Sequence, residues 1–469
     1  MQQAGKHEHW SSKWLFILAA VGSSVGLANI WRFPYTAGEN GGGIFVLIYL
    51  ASVFFLALPL VIGEFMLGRR GQTCPTESLK KIAAESGARP AWVLIGFMGI
   101  FSASLILSFY SMIGGETIIY AFHTLTGKFS NIDAQGAAGI ADEFNASWLT
   151  VLGGHTLFMG ITIYISANGI SGGLEKAVKY MMPLLFLILI IMVGYAAVTG
   201  DFITSLKYLF TPDMQEISAN AQRAGHDVQR ELYAVAIDAF GQAFFSVSVG
   251  ATTLMAYGSY LRREESIADA ATMIVSADTL VALLAGLAIF PLVFVHNLDP
   301  TGGPGLVFVS VPLAFGSMPG GLLIGTGFFV LLAFAAITSS ISMLEVPVAW
   351  LAEKDNWTRR KAALVSGGVI WVIGLLSVLS LNQLSGFQPL DWAGVSGTFF
   401  DLFDYLTSNI MLPITGILTA LFIGYVVPES VSCDELQILR DHHWFKIWLF
   451  ILRTVVPLVL LLVFYNLVF

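Results

Sequence analysis

Apolar runs of about 20 residues or more, cut by short polar loops, recur along the whole chain. Each is long enough to cross the hydrocarbon core of a bilayer as a helix. The pattern predicts about eleven crossings, at 13–38, 42–68, 90–124, 148–169, 177–199, 233–260, 270–296, 321–352, 362–381, 394–425 and 444–468. No extended low-complexity linker interrupts them, so the expectation is a single all-α transmembrane domain spanning 1–469, with no soluble appendage.

Two crossings depart from the simple apolar pattern. The first reads FILAAVGSSVGLANIWRFP from Phe16 to Pro34, with Gly22, Ser23, Ser24 and Gly26 at mid-segment and Asn29, Trp31 and Arg32 following. Glycine lowers the cost of leaving helical geometry. Unwound backbone at membrane depth persists only where protein buries it or a wet cavity adjoins it. The sixth crossing repeats the feature around Phe244, as AFFSVSVGAT. The two lie five crossings apart and therefore run in opposite directions. Interrupted segments at corresponding places in two halves point to an inverted-repeat transporter, 13–199 against 233–425, with 444–468 outside the repeat. A broken helix also aims two free ends of opposite partial charge at one place, which suits an ion and a small charged solute. The competing reading is that these small residues only let helices pack closely.

Composition agrees with a membrane protein: 56% of residues are hydrophobic and 12% charged, about half the charged share of soluble domains. Where the charges lie says more than the net value of −8. Lys6, Lys13, Arg69, Arg70, Lys80, Lys81, Arg89, Arg262, Arg263, Arg359, Arg360, Arg440 and Lys446 are among the many basic residues on the amino-terminal side, whereas the opposite loops offer Lys128, Lys207, Arg223 and Arg230. The amino terminus is therefore expected in the cytoplasm. Cys74 and Cys433 both fall in loops on that side, which argues against a disulfide.

Each charge at membrane depth needs an account, since an unpaired one costs about 2.5–3.5 kcal/mol even on the lower scales. Glu64 and Glu345 are expected to bond unwound backbone, whereas Glu116 and Arg453 suggest no specific role. Asp278 has no basic neighbour in sequence, and a bound cation would supply the missing charge. In AAITSSIS, Ala335, Thr338 and Ser339 share one helical face, and hydroxyl and carbonyl oxygens suit a hard monovalent cation. Hydroxyls bonding back to their own helix are the ordinary alternative. An intramembrane enzyme is disfavoured, because His155, His226 and His296 do not cluster with carboxylates at ligand spacing.

The stretch GSSVGLANIWRFPYTAGENGGGIF closely resembles the opening signature of the neurotransmitter:sodium symporter family, and GQAFFSVSVG, ITSSIS and LFDYL extend the likeness over essentially the whole chain. The resemblance implies a LeuT-type 5+5 inverted repeat and sodium-coupled amino-acid symport in a bacterial cytoplasmic membrane. One sodium would then be held by the carbonyls of Ser24 and Ser246, the side chains of Asn29 and Ser246, and Asp278. A second would lie among the carbonyls of Gly22, Val25 and Ala335 and the hydroxyls of Thr338 and Ser339. The substrate carboxylate would meet backbone N–H groups near Leu27 and Ala28, with Tyr110 donating its hydroxyl. Its ammonium would meet the carbonyls of Ser24 and Phe245, and Ser248. Ser23, Gly26 and Ser246 adjoin these groups, and Ser339 borders the same space. Ile106, Val249, Ala251 and Met343 would surround the substrate side chain, with Phe245 and Tyr110 closing over it.

By the same resemblance, Arg32 and Asp404, with Gln242 nearby, form an outer gate. The inner gate would use Trp10, Tyr260 and Glu353, with His7 at the family's arginine position in HEHW. Histidine titrates near neutral pH, so this latch departs from the family pattern. Gly173 and Pro183 match a pattern at which the fifth crossing unwinds. Asp278 replaces the amide of animal relatives that bind chloride, so sodium dependence is expected without chloride dependence. The expected cargo is a neutral hydrophobic or aromatic L-amino acid, in a monomer or weak dimer that engages the lipid bilayer and no nucleic acid. The alternatives are a same-fold carrier of a small amine-bearing acid and a non-transporting sensor or channel.

Overall fold

The computed structural model describes residues 10–225, 227–301, 303, 305–354, 357–389, 391 and 397–468. Among the described residues, nine helices are apolar and long enough to cross a membrane. They are α3 (Gly43–Gly71), α5 (Pro90–Leu125), α6 (Trp148–Ala167), α7 (Ile170–Thr199), α10 (Ile267–Val295), α11 (Gly321–Lys354), α12 (Arg359–Ser380), α13 (Phe399–Val426) and α14 (His443–Val468). The first crossing is a broken pair, α1 (Lys13–Ser24) and α2 (Ala28–Glu39), bent by 52°. The sixth is also broken, into α8 (Val228–Ser246) and α9 (Thr253–Gly258). Its charged and amide residues keep it less apolar than the nine, yet it sits where the sequence places a crossing. A short amphipathic helix, α4 (Pro75–Glu85), follows α3 outside the apolar spans.

The breaks have local causes. After α1 the chain leaves helical geometry at Val25, whose ψ of 105° ends the hydrogen-bond ladder. After α8 it turns through positive φ at Ser248, Gly250 and Thr252. Positive φ is costly for residues with a Cβ, so something must hold the turn. Glu64 of α3 does so: its buried carboxylate accepts from the Gly250 N–H at 2.8 Å. Gly250 is also the residue that faces the Leu412 carbonyl, where a Cβ would sit 2.7 Å from the oxygen. The expectation that Glu64 serves unwound backbone therefore holds.

The core forms around α5 and α11, which pack along much of their length, with α6, α7 and α12 against them. Close approach is bought with small residues: Gly115 lies against the Gly154 backbone, and Gly374 against His155. His155 is itself satisfied, with Nδ1 near Ser111 Oγ at 2.9 Å and Nε2 near the Trp371 carbonyl at 3.1 Å.

Differences from the expected boundaries are small and explicable. The fifth crossing begins at Ile170 and not 177, and in its second turn Glu175 accepts from the Ser11 N–H and Oγ at 2.6 and 2.8 Å. Glu345 bonds no unwound backbone; Arg359 pairs with it, and the Tyr260 hydroxyl donates to it at 2.9 Å. Both cysteines are free. The basic loops do gather at one end, where Arg69 is buried against Glu435, and Arg70 and Arg263 both reach Asp434.

Candidate functional site

The two breaks face each other, and two groups of oxygen atoms adjoin them, one between the breaks and one between the first break and α11. In the first group Asn29 Nδ2 donates to Ser246 Oγ at 2.8 Å and to Asp278 Oδ1 at 2.8 Å. Ser246 Oγ donates to Asp278 Oδ2 at 2.6 Å. All three side chains are fully buried. Among the described residues no basic side chain pairs with Asp278, and hydroxyl and amide dipoles are its partners. The Ser24 hydroxyl bonds back to the Ala20 carbonyl at 3.2 Å, and the residue borders the cavity described below.

The second group joins α1 to α11. Ser339 Oγ lies 3.2 Å from the Gly22 carbonyl and 3.0 Å from that of Val25. Both carbonyls are at the end of α1, where the helix has no further N–H to offer them. Thr338 Oγ1 turns to its own helix, 3.0 Å from the Phe334 carbonyl and 3.1 Å from that of Ala335. Gly22 is close enough that an added Cβ would sit 3.1 Å from both Thr338 Cβ and Met182 Sδ. The five residues expected here thus adjoin one another, and Met182 of α7 backs them.

Beside these groups lies a partly open cavity with about 460 Å³ of empty space, counting the part that is open to solvent. Its wall includes Ser24, Gly26, Leu27, Ala28, Ile106, Tyr110, Phe245, Ser248, Ala251, Ser339 and Met343, all anticipated from sequence. At its polar edge the Leu27 N–H donates to the Tyr110 hydroxyl at 3.2 Å, and the Gly26 N–H to Asn29 Oδ1 at 3.0 Å. Ser248 Oγ donates to the Ser23 carbonyl at 3.4 Å. Apart from the hydroxyls of Ser24, Thr253 and Ser339, the remaining wall is apolar, and none of its residues bears a charge.

Three anticipated residues do not line this cavity. Ser246 is turned toward Asp278, Val249 is packed in the core, and Ser23 contributes its carbonyl to Ser248 from behind the wall. Two that the sequence did not single out do line it, Thr253 and Leu412. Thr253 opens α9 directly after the break, which is a usable signal. Leu412 has none, because its place depends on how α13 packs.

The expected gates are only partly assembled. Arg32 and Asp404 do not pair. The Arg32 guanidinium lies over the Phe245 ring, 4.5 Å from its centroid, and Asp404 accepts from Ser408 Oγ at 2.7 Å. Beside Arg32 an outer vestibule with about 650 Å³ of partly open space, bordered also by Asp238 and Ser408, shares Phe245 and Leu412 with the inner cavity. Gln242 donates to the Ala28 carbonyl at 2.9 Å, so it ties α8 to α2 and does not bridge the gate. At the other end Trp10 donates to the Tyr257 carbonyl at 3.4 Å and packs edge-on to Tyr260. Glu353 caps α4, accepting from the Cys74 N–H at 2.8 Å, and Tyr260 turns to Glu345. His7 lies outside the described residues.

Comparison with known proteins matches the chain to the model of the sodium:neurotransmitter symporter family over residues 7–137 and 149–469. It is 35% identical to a Bacillus subtilis protein described as an uncharacterised sodium-dependent transporter, YhdH, over 99% of this chain and 98% of that one. A Haemophilus influenzae protein described in the same words, without the YhdH name, is 31% identical over 98% of each. Among solved structures, a crystal structure of MhsT in complex with L-phenylalanine superposes with a TM-score of 0.87 at 39% identity, covering 98% of this chain and 99% of that one.

Proposed function

The chain belongs to the sodium:neurotransmitter symporter family, a family of multi-pass transporters and not of enzymes, and from that premise we propose that it imports a neutral hydrophobic or aromatic L-amino acid together with sodium. The observation that carries this reading is the convergence of Asn29, Ser246 and Asp278 on one buried point beside an uncharged cavity. A buried carboxylate with dipoles for partners and no cationic side chain favours a small cation as cargo. The Gly22 and Val25 carbonyls with Ser339 supply a second oxygen-rich place for sodium.

The cavity supports the amino-acid class. Its polar edge consists of backbone N–H groups at the start of α2 and the Tyr110 hydroxyl, a setting suited to a carboxylate. The mostly apolar wall, with Ala28 and Ala251 small and Met343 adaptable, suits an uncharged side chain. L-phenylalanine in the MhsT complex accords with this choice.

Coupling follows from shared elements. The end of α1 and the start of α2 supply groups to both sodium places and to the amino-acid cavity, so closing the site depends on all three being filled. Each sodium moving down about 100 mV and a tenfold gradient releases roughly 2.3 and 1.4 kcal/mol. Two such ions drive accumulation of a zwitterion by about five orders of magnitude. The fixed carboxylate of Asp278 removes the need for chloride. Basic residues gathered on one side favour an amino terminus in the cytoplasm of a bacterial cell.

Binding of L-amino acids to the purified protein, in sodium and then in potassium, tests this. Saturable binding of phenylalanine, tryptophan or leucine in sodium, lost in potassium, is expected. Equal binding in both cations overturns it.

A further inference from the structure

A second concavity lies far from the transport path, between the end of α13 and the start of α14. It is an open concavity with about 1080 Å³ of empty space, counting the part open to solvent, and Tyr425, Glu429, Arg440, Lys446, Phe450 and Arg453 border it. Three cations meet two acids there, because Glu429 serves both arginines and Lys446 is 3.4 Å from Asp441. Arg440 uses Nε on Glu429 at 2.5 Å. Arg453 uses Nε on the Gly424 carbonyl at 2.5 Å and one terminal nitrogen on Glu429 at 3.0 Å. A guanidinium carries five N–H donors, so both keep donors that no described residue accepts. The Glu429 carboxyl is held below its ordinary range, chiefly by Arg440, so it remains charged and is already shared between the two.

Apolar surface flanks these charges. Tyr425 and Phe450 at the border, and Ile447 beside them on α14, are each about 60% exposed, and the Arg453 guanidinium lies over the Tyr425 ring, 5.7 Å from the ring centroid. Trp444 and Trp448 stack at the same end of α14, as aromatic residues do at a membrane–water boundary. Spare guanidinium donors above an exposed apolar flank match one kind of ligand, which has a phosphate at one end and acyl chains at the other.

We propose that this concavity between α13 and α14 binds the phosphodiester headgroup of an anionic phospholipid, with Arg440, Lys446 and Arg453 on the phosphate and the acyl chains along Tyr425 and Phe450. The leaflet it occupies rests on the orientation proposed above; binding itself does not depend on sodium or amino acid.

Native mass spectrometry of the detergent-purified protein, titrated with phosphatidylglycerol and separately with phosphatidylcholine, tests the proposal. R440Q/K446Q changes two exposed cations and leaves the half-buried Arg453 in place, and K446Q alone is the milder variant. K80Q/R89Q removes two exposed cations elsewhere on the same side. About tenfold weaker phosphatidylglycerol binding is expected for R440Q/K446Q, and a smaller loss for K446Q. K80Q/R89Q should bind as wild type, phosphatidylcholine should not distinguish the proteins, and the melting curves should coincide. Undiminished phosphatidylglycerol binding in R440Q/K446Q, or an equal loss in K80Q/R89Q, overturns the proposal. Displacement of the lipid by millimolar inorganic phosphate overturns it too, in favour of a soluble phosphate ligand.

Discussion

Ser246 Oγ donates to Asp278 Oδ2 at 2.6 Å, which links the end of α8, at the second break, to the middle of α10. Asn29, just past the first break, donates to the other carboxylate oxygen, so one aspartate joins both broken crossings. Replacing Asp278 by asparagine keeps the shape and removes the charge. The half-saturating sodium concentration for transport should rise by about tenfold or more, or chloride should become necessary. Uptake measured in chloride and in gluconate checks this, and an unchanged response to both ions counts against the assigned role.

Gly26 lies where an added Cβ would be 2.6 Å from Ser339 Oγ and 2.9 Å from the Tyr110 hydroxyl. Gly26→Ala should therefore abolish amino-acid binding while the protein still folds, since the clash is with side-chain tips around a cavity. Binding assays paired with a melting curve separate the two effects.

Glu64 is a support for the second break, and its replacement should act through stability. Glu64→Ala leaves the Gly250 N–H buried without an acceptor, at a cost of about 1–3 kcal/mol. Glu64→Gln retains an acceptor oxygen and should stay close to wild type. Melting temperatures in detergent should order as wild type, Gln, then Ala, with Ala well below the others.

Side-chain selectivity should reside in Ala251, Thr253, Met343 and Leu412, which border the apolar part of the cavity. Ala251→Leu fills part of that space and should disfavour aromatic substrates against alanine by about 10–200-fold. Competition between labelled phenylalanine and unlabelled amino acids reads the shift.

Cys74 probes the inner end. Its thiol is pushed up to about 12 by burial, with the nearby Glu353 carboxylate adding to the effect. The thiolate is the reactive form, and at pH 9 it should be roughly a thousandth of the total. Maleimide labelling should be slow from pH 7 to 9 here and should quicken under conditions that open the inner end. Fast labelling at pH 7 in every condition would contradict this packing.

Much of the site was legible because a bilayer makes polar residues conspicuous. Asp278, Glu64 and the two Gly/Ser breaks stood out against apolar runs that gave no other reason for them. What stayed hidden depends on contacts between distant segments. Ser11 reaches Glu175 near the start of the fifth crossing, and Arg359 pairs with Glu345 in place of the backbone role expected of it. Arg453, unassigned from sequence, is held by Gly424 and Glu429 at the end of α13. The outer-gate pair expected from sequence is not formed, because Arg32 lies over Phe245 and Asp404 accepts from Ser408, partners that composition does not encode.

The central claim is that sodium and a neutral amino acid share one site between two broken helices and move together. Uptake of labelled L-phenylalanine into proteoliposomes, with sodium outside and potassium inside, tests it most directly. The account predicts accumulation well above the external concentration, collapsing when the sodium gradient is dissipated. Phenylalanine that merely equilibrates, or that accumulates as well without sodium, would contradict it.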